Sequence, residues 1–161
     1  MSLRIRPAEP RDAALVMSFV RELAEYEKLT HTVEADETMI AADLFSDHPR
    51  VFCDIAEWNG EPAGFALWFY NYSTFKGRHG IYLEDLFVRP ALRGHGIGKA
   101  LLLQLAARCV REGLGRFEWS VLDWNAPSIA FYESLGAAAM TEWHIYRLTG
   151  DALARLGART S

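Results

Sequence analysis

Two adjacent acids, Glu84 and Asp85, sit inside the apolar run from Ile81 to Val88. An apolar setting disfavours the charged form of a carboxyl group, so its pKa rises toward neutrality and it can act as a base near pH 7. Neighbours on a regular strand point to opposite faces, so only one of the two can face a cleft. Glu84 is the candidate base and Asp85 the support for the sheet or its loop. Directly after this run comes Arg93-Gly94-His95-Gly96-Ile97-Gly98-Lys99, and then a helical stretch from Ala100 to Glu112. A glycine-rich turn that opens a helix presents unpaired N–H groups and the positive end of the helix dipole, which is chemistry suited to an anion. It is not a Walker A loop, which needs Gly at 93 and Ser or Thr at 100, where Arg93 and Ala100 stand. Nor is it a dinucleotide fingerprint, which needs Gly at 99, where Lys99 stands. Two further groups draw notice. Tyr26 and Glu27 end an acidic helix, either as a cation-binding corner or as a solvated helix end. Tyr132 follows Asn125 by seven residues.

These groups need elements to hold them. Leu3–Arg6 alternates as a first strand stopped at Pro7, and a helix from Pro10 to about Leu29 buries Ala13, Val16, Met17, Val20, Leu23 and Ala24. A weaker helix is expected over 35–45. Strands over 51–57 and 63–70 flank Asn59-Gly60, a type I′ hairpin signal. The polar stretch 71–80 reads as a loop leading into the central strand, Ile81 to Val88, which Arg89-Pro90 ends. The helix from Ala100 turns Leu102, Leu105, Ala106, Cys109 and Val110 inward, with Gly113 as its C-cap. A strand over 117–122 then lies parallel to 81–88, because a helical crossover joins them. Asn125 is an N-cap with Pro127 in the first turn, Gly136 closes that helix, and a last strand is expected over 143–148, with a short helical turn after it.

The chain has 161 residues, half of them hydrophobic, which suits one domain, 1–161, with a real core. Lys and Arg number 17 against 21 acids, a net charge of −4, and no basic block offers a nucleic-acid surface. Neither a secretory leader nor a run of ~20 apolar residues is expected, so no membrane partner is. Cys53 and Cys109 stand far apart and the five histidines are scattered, as in a reduced cytoplasmic protein with no metal site.

Taken together, Arg93-x-x-Gly96-x-Gly98 between a strand and a helix, and Asn125 to Gly136 with Tyr132, resemble the two signatures of the GCN5-related N-acetyltransferases. The resemblance runs from the first strand through Leu148. It implies a mixed, mostly antiparallel α/β (α+β) sheet with a splayed parallel strand pair and helices on both faces. Leu23–Glu27, Asn71–Arg78, Ile81–Asp85 and Leu122–Asn125 are similar to the diamine acetyltransferase branch, the spermidine/spermine and thialysine N-ε-acetyltransferases. Three features depart from that branch: Phe75 stands where tryptophan is common, the loop before Ile81 is one residue longer, and the stretch around Thr141–Trp143 is shorter.

What the resemblance implies is an acetyl-CoA-dependent N-acetyltransferase of a small polyamine or lysine-like amine, working as a homodimer. Acetyl-CoA would lie on Leu86, Phe87, Val88, Arg93, Gly94, His95, Gly96, Ile97, Gly98, Lys99, Asn125 and Ser128. The amine would meet Tyr26, Glu27 and Glu84, and Tyr132 would protonate the leaving thiolate. The chain holds no Ser-His-Asp or Cys-His set, so direct transfer is expected rather than an acyl-enzyme. Acetylation of protein amines and a non-catalytic acyl-CoA-binding module are the competing readings.

Overall fold

The computed structural model describes residues 1–160 and divides into two compact units, Met1–Leu122 and the chain from Asp123 onward. In the first unit the strands β1 (Leu3–Pro7), β2 (Phe52–Trp58), β3 (Glu61–Ser73), β4 (Arg78–Val88) and β5 (Phe117–Trp119) form one sheet in sequence order. β1 to β4 are antiparallel and β5 joins β4 in parallel. The helices are α1 (Ala13–Tyr26), α2 (Glu37–Leu44) and α3 (Ile97–Glu112).

Local chemistry accounts for most of these elements. Asn59 and Gly60 take φ of 52° and 83°, the positive values a two-residue type I′ turn needs, and join β2 to β3. The stretch 71–80, expected as a loop, is mostly strand. β3 runs to Ser73, β4 begins at Arg78, and only Thr74–Gly77 turns. Gly77 supplies a φ of 63° there, and Ser73 Oγ accepts the Lys76 N–H at 3.2 Å. Polar and aromatic side chains conceal a strand of this kind, because most side chains of the hairpin tip are exposed.

The core on one side of the sheet gathers Val16, Phe19 and Leu23 of α1 with Ile55, Phe65, Leu67 and Phe87. Phe19 stacks on Phe65 at 5.2 Å. Trp68, the strand neighbour of Leu67, instead carries Arg108 of α3 at 5.0 Å over its ring. Strand neighbours face opposite sides, so α1 and α3 cover opposite faces of the sheet. The buried stripe of α3 is Ile97, Leu101, Leu102, Leu105 and Cys109, with Gly113 at φ 67° capping its end. Val110, expected inward, is exposed.

The second unit holds α4 (Ala126–Ser134) and α5 (Gly150–Gly157). The strand expected over 143–148 is absent among the described residues. Alternation in one segment proposes a strand, but a ladder needs a second one, and this unit contains none.

Candidate active site

The strand that carries the two acids is not regular. β3 and β4 pair one to one from Gly64–Val88 to Leu67–Asp85 and resume at Trp68–Leu83, so Glu84 is an extra residue without a partner. A bulge breaks the two-residue alternation and re-aims the side chains around it. The opposite-face argument for Glu84 and Asp85 therefore does not hold. Asp85, opposite Leu67, lies on the α1 side of the sheet with Phe87, opposite Phe65. Desolvation falls on the other acid of the pair too. Glu84 is exposed, whereas Asp85 is half-buried. Burial, with the nearby charges of Glu84 and then Glu27, pushes the Asp85 carboxyl up to about 7.

Glu27 reaches this place from the end of α1. It is the C-cap residue, half-buried, and burial raises its carboxyl above the usual range. Lys28 then turns left-handed at φ 61° while the Leu29 N–H bonds the Ala24 carbonyl at 2.8 Å, a turn usually given to glycine. The helix is fastened to β4 by Arg89. Its guanidinium grips Glu22 through two hydrogen bonds of 3.1 Å and sits 4.8 Å over the Phe19 ring. Neither Arg89 nor Asp85 stood out in the sequence as a functional residue, and no spacing signals Arg89, because its partner is 67 residues away.

β5 accompanies β4 only at Ile81, Tyr82 and Leu83, so within Met1–Leu122 the edge of β4 beyond Glu84 lies open. The Arg89 N–H donates to the Ala63 carbonyl at 2.8 Å. Antiparallel alternation then turns the N–H groups of Leu86 and Val88 to the open edge, while that of Phe87 faces β3. Of the three residues expected to hold a cofactor here, Leu86 and Val88 present their backbones, whereas Phe87 contributes a buried ring to the core.

The glycine turn follows. Gly94 and Gly96 take φ of 85° and 77°, and a Cβ added at either would meet no atom within 4 Å. The backbone approaches open space there. Gly96 is the N-cap of α3, and the first helical bond is Ala100 N–H to the Gly96 carbonyl at 3.0 Å. The N–H groups of Ile97, Gly98 and Lys99 thus have no partner in the helix and suit an anion. Ile97 buries its side chain and offers only this N–H. His95 stacks on Trp58 at 4.7 Å, which pins the turn to the end of β2. Arg93 does not extend over the turn: its Nε donates to the Val88 carbonyl at 2.9 Å.

In the second unit, Asn125 is the N-cap of α4 and its Oδ1 accepts the Ser128 N–H at 3.3 Å. Tyr132 lies one turn beyond Ser128 on the same helix face. Burial pushes the Cys53 and Cys109 thiols up, which keeps both out of nucleophilic chemistry. Among the described residues, no group of three or more His, Cys, Asp or Glu side chains could hold a metal ion, and no helix is long and apolar enough to cross a membrane.

Residues 16–137 match the model of the acetyltransferase (GNAT) family. A thialysine N-epsilon-acetyltransferase of Sus scrofa is 38% identical over 169 residues, covering 98% of this chain and 99% of that one. An L-ornithine N5-acetyltransferase of Arabidopsis thaliana is 34% identical, covering 95% and 87%. Among solved structures, an integron cassette protein from the mobile metagenome of V. cholerae superposes with a TM-score of 0.81 at 30% identity, over 98% of each chain.

Proposed function

The chain belongs to the acetyltransferase (GNAT) family, and from that premise we propose that it moves the acetyl group of acetyl-CoA directly onto a primary amine of a small polyamine or a lysine-like molecule such as thialysine. The observation that carries this reading is the gathering of Glu27, Glu84 and Asp85, close enough that the first two raise the pKa of the third. Two half-buried carboxyl groups beside an exposed one suit a cationic amine. The names of the relatives, acting on thialysine and ornithine, point the same way. The family match spans residues of both compact units, which supports one catalytic domain over 1–161. We extend the proposal to a cytoplasmic homodimer, as the diamine-branch resemblance implies; light scattering that returns the mass of a single chain would remove the dimer.

The chemistry follows from the arrangement. An alkyl ammonium has a pKa near ~10.4, so at pH 7 only about one molecule in ~2,500 is a nucleophile. Glu84, exposed at the bulge, is the carboxylate that the amine meets, and Asp85 behind it titrates near neutrality, so the pair takes the proton. The amine nitrogen then forms its bond to the thioester carbon, whose oxygen gathers charge against the N–H groups of Leu86 and Val88. The C–S bond breaks and the thiolate leaves with a proton from Tyr132. The coenzyme phosphates rest on the backbone of Gly94, His95, Gly96, Ile97, Gly98 and Lys99, and Asn125 and Ser128 shape the start of α4.

A thiol-release assay across diamines, lysine analogues and monoamines tests the proposal. Diamines and lysine analogues are expected to turn over best, and Glu27→Gln to raise the KM of a diamine about tenfold while leaving monoamines nearly unchanged. No amine-dependent thiol release from any of these would overturn it.

Asp85→Asn is expected to separate activity from stability. The folded carboxyl titrates at about 7 and the unfolded one near ~3.9, so between these values only the native state holds the proton. Native stability therefore falls as pH rises from about 4 to about 7. Asparagine escapes that loss. The variant should be more stable than the parent at pH 8, by on the order of 1–3 kcal/mol after allowance for partial exposure, and equal to it near pH 4. Its kcat/KM should fall about tenfold at pH 8 and lose the decline below pH 7 that the parent shows. Melting curves at the two pH values and a pH–rate profile check this; a parent profile without that limb would remove Asp85 from the proton path.

A further inference from the structure

Arg93 opens the glycine turn, yet its side chain runs away from it. The backbone N–H of Arg93 closes a short turn on the Pro90 carbonyl at 3.3 Å. From there the side chain folds back along β4, and Nε donates to the Val88 carbonyl at 2.9 Å. The guanidinium carbon lies 4.9 Å from the centre of the Tyr26 ring and 5.6 Å from that of Phe87. One side chain thus touches the open edge of β4, the core beneath it and the last residue of α1. Glu27 is the next residue along.

We infer that Arg93 is a positioning residue for the amine, a strut that holds the Tyr26–Glu27 corner against the end of β4. This rests on the assignment of that corner to the amine under the proposed function. Arg93 ties this corner to the end of β4. The corner is the end of a helix, where the last turn frays readily, and Tyr26 is 37% exposed. Beyond it the chain turns left-handed at Lys28. Arg89 and Glu22 fasten the helix one turn earlier, and Arg93 adds a contact at its last residue. Arginine suits the place because its planar group donates sideways to a carbonyl while its face covers an aromatic ring. Lysine, a compact ammonium on a flexible stem, cannot do both. With its Nε engaged on Val88, Arg93 leaves phosphate recognition to the N–H groups of the turn.

The test is a split between two affinities. Arg93→Lys should raise the KM for a diamine about tenfold, leave kcat within about twofold, and leave the calorimetric Kd of acetyl-CoA within about threefold. Tyr26→Leu should reproduce the KM rise, and the double variant Arg93→Lys with Tyr26→Leu should be no worse than either alone, because both remove one contact. Tyr26 is an exposed position, so Tyr26→Leu tests the contact from its other side even where Arg93→Lys folds poorly. A tenfold or greater loss of acetyl-CoA affinity in Arg93→Lys would make Arg93 a phosphate ligand and overturn the inference. So would KM effects of the two single changes that multiply. Glu27→Gln separates the levels. If it leaves the diamine KM unchanged, the amine corner itself is misplaced; if it raises KM and Arg93→Lys does not, only the strut is wrong.

Discussion

Gly96→Asp is expected to abolish acetyl-CoA binding while the protein stays folded. Gly96 is the N-cap of α3 at φ 77°, and an added Cβ would meet nothing within 4 Å, so no clash forces the turn apart. The left-handed backbone costs roughly 1 kcal/mol for most residues, and aspartate tolerates it better than most. A carboxylate at this position can also accept from the open N–H groups of the first helical turn, which offsets the strain. That same bond takes the donors a phosphate would use. Worse for the ligand, it sets like charges about 4 Å apart, a repulsion of about 4 kcal/mol at an effective dielectric near ~20. The Kd should therefore rise by roughly 10³-fold with the melting temperature nearly unchanged. Gly96→Ala, which adds strain without charge, should lie between the two proteins. Calorimetry that found the affinity of Gly96→Asp unaltered would place the coenzyme phosphates somewhere else.

Tyr132→Phe should cut kcat roughly 10²-fold, the usual worth of a positioned acid or base, and leave the KM for acetyl-CoA within about twofold. The helix that carries the residue has its own start signals. α4 starts at the Asn125 cap, where Oδ1 takes the Ser128 N–H, with proline in the first turn. Phenylalanine keeps the ring and removes the hydroxyl that carries the proton. The lost proton matters in proportion to how poor the leaving thiolate is, which supplies a control. With an acetyl donor built on a strongly acidic thiol, whose thiolate leaves unprotonated, the variant should recover most of the parent rate. Equal slowing with both donors would show that Tyr132 does not deliver the proton and that its loss acts through packing.

Several parts of this protein could be read without a structure, and they share a local origin. Asn59-Gly60 makes its turn because those two residues accept positive φ wherever they stand. Gly94 and Gly96 bend the turn before α3 for the same reason, and Asn125 caps α4 through a bond to a residue three positions on. The parallel pairing of β4 with β5 followed from the helix between them, since a crossover leaves little choice of direction.

What tertiary structure decided lies between elements. The bulge at Glu84 is a property of β3 and β4 together, because only pairing Leu67 with Asp85 and Trp68 with Leu83 leaves one residue over. From that single extra residue follow the exposure of Glu84 and the side of the sheet that Asp85 faces. The raised pKa of Asp85 needs further the approach of Glu27, which is 58 positions away and is brought in by the packing of α1. Sequence spacing located two adjacent acids in an apolar strand. Which of them loses its water was settled by the sheet register. Arg93 shows the same division: its place at the head of the glycine turn is written in the chain, but the direction of its side chain is set by a carbonyl and two rings that surround it only after folding.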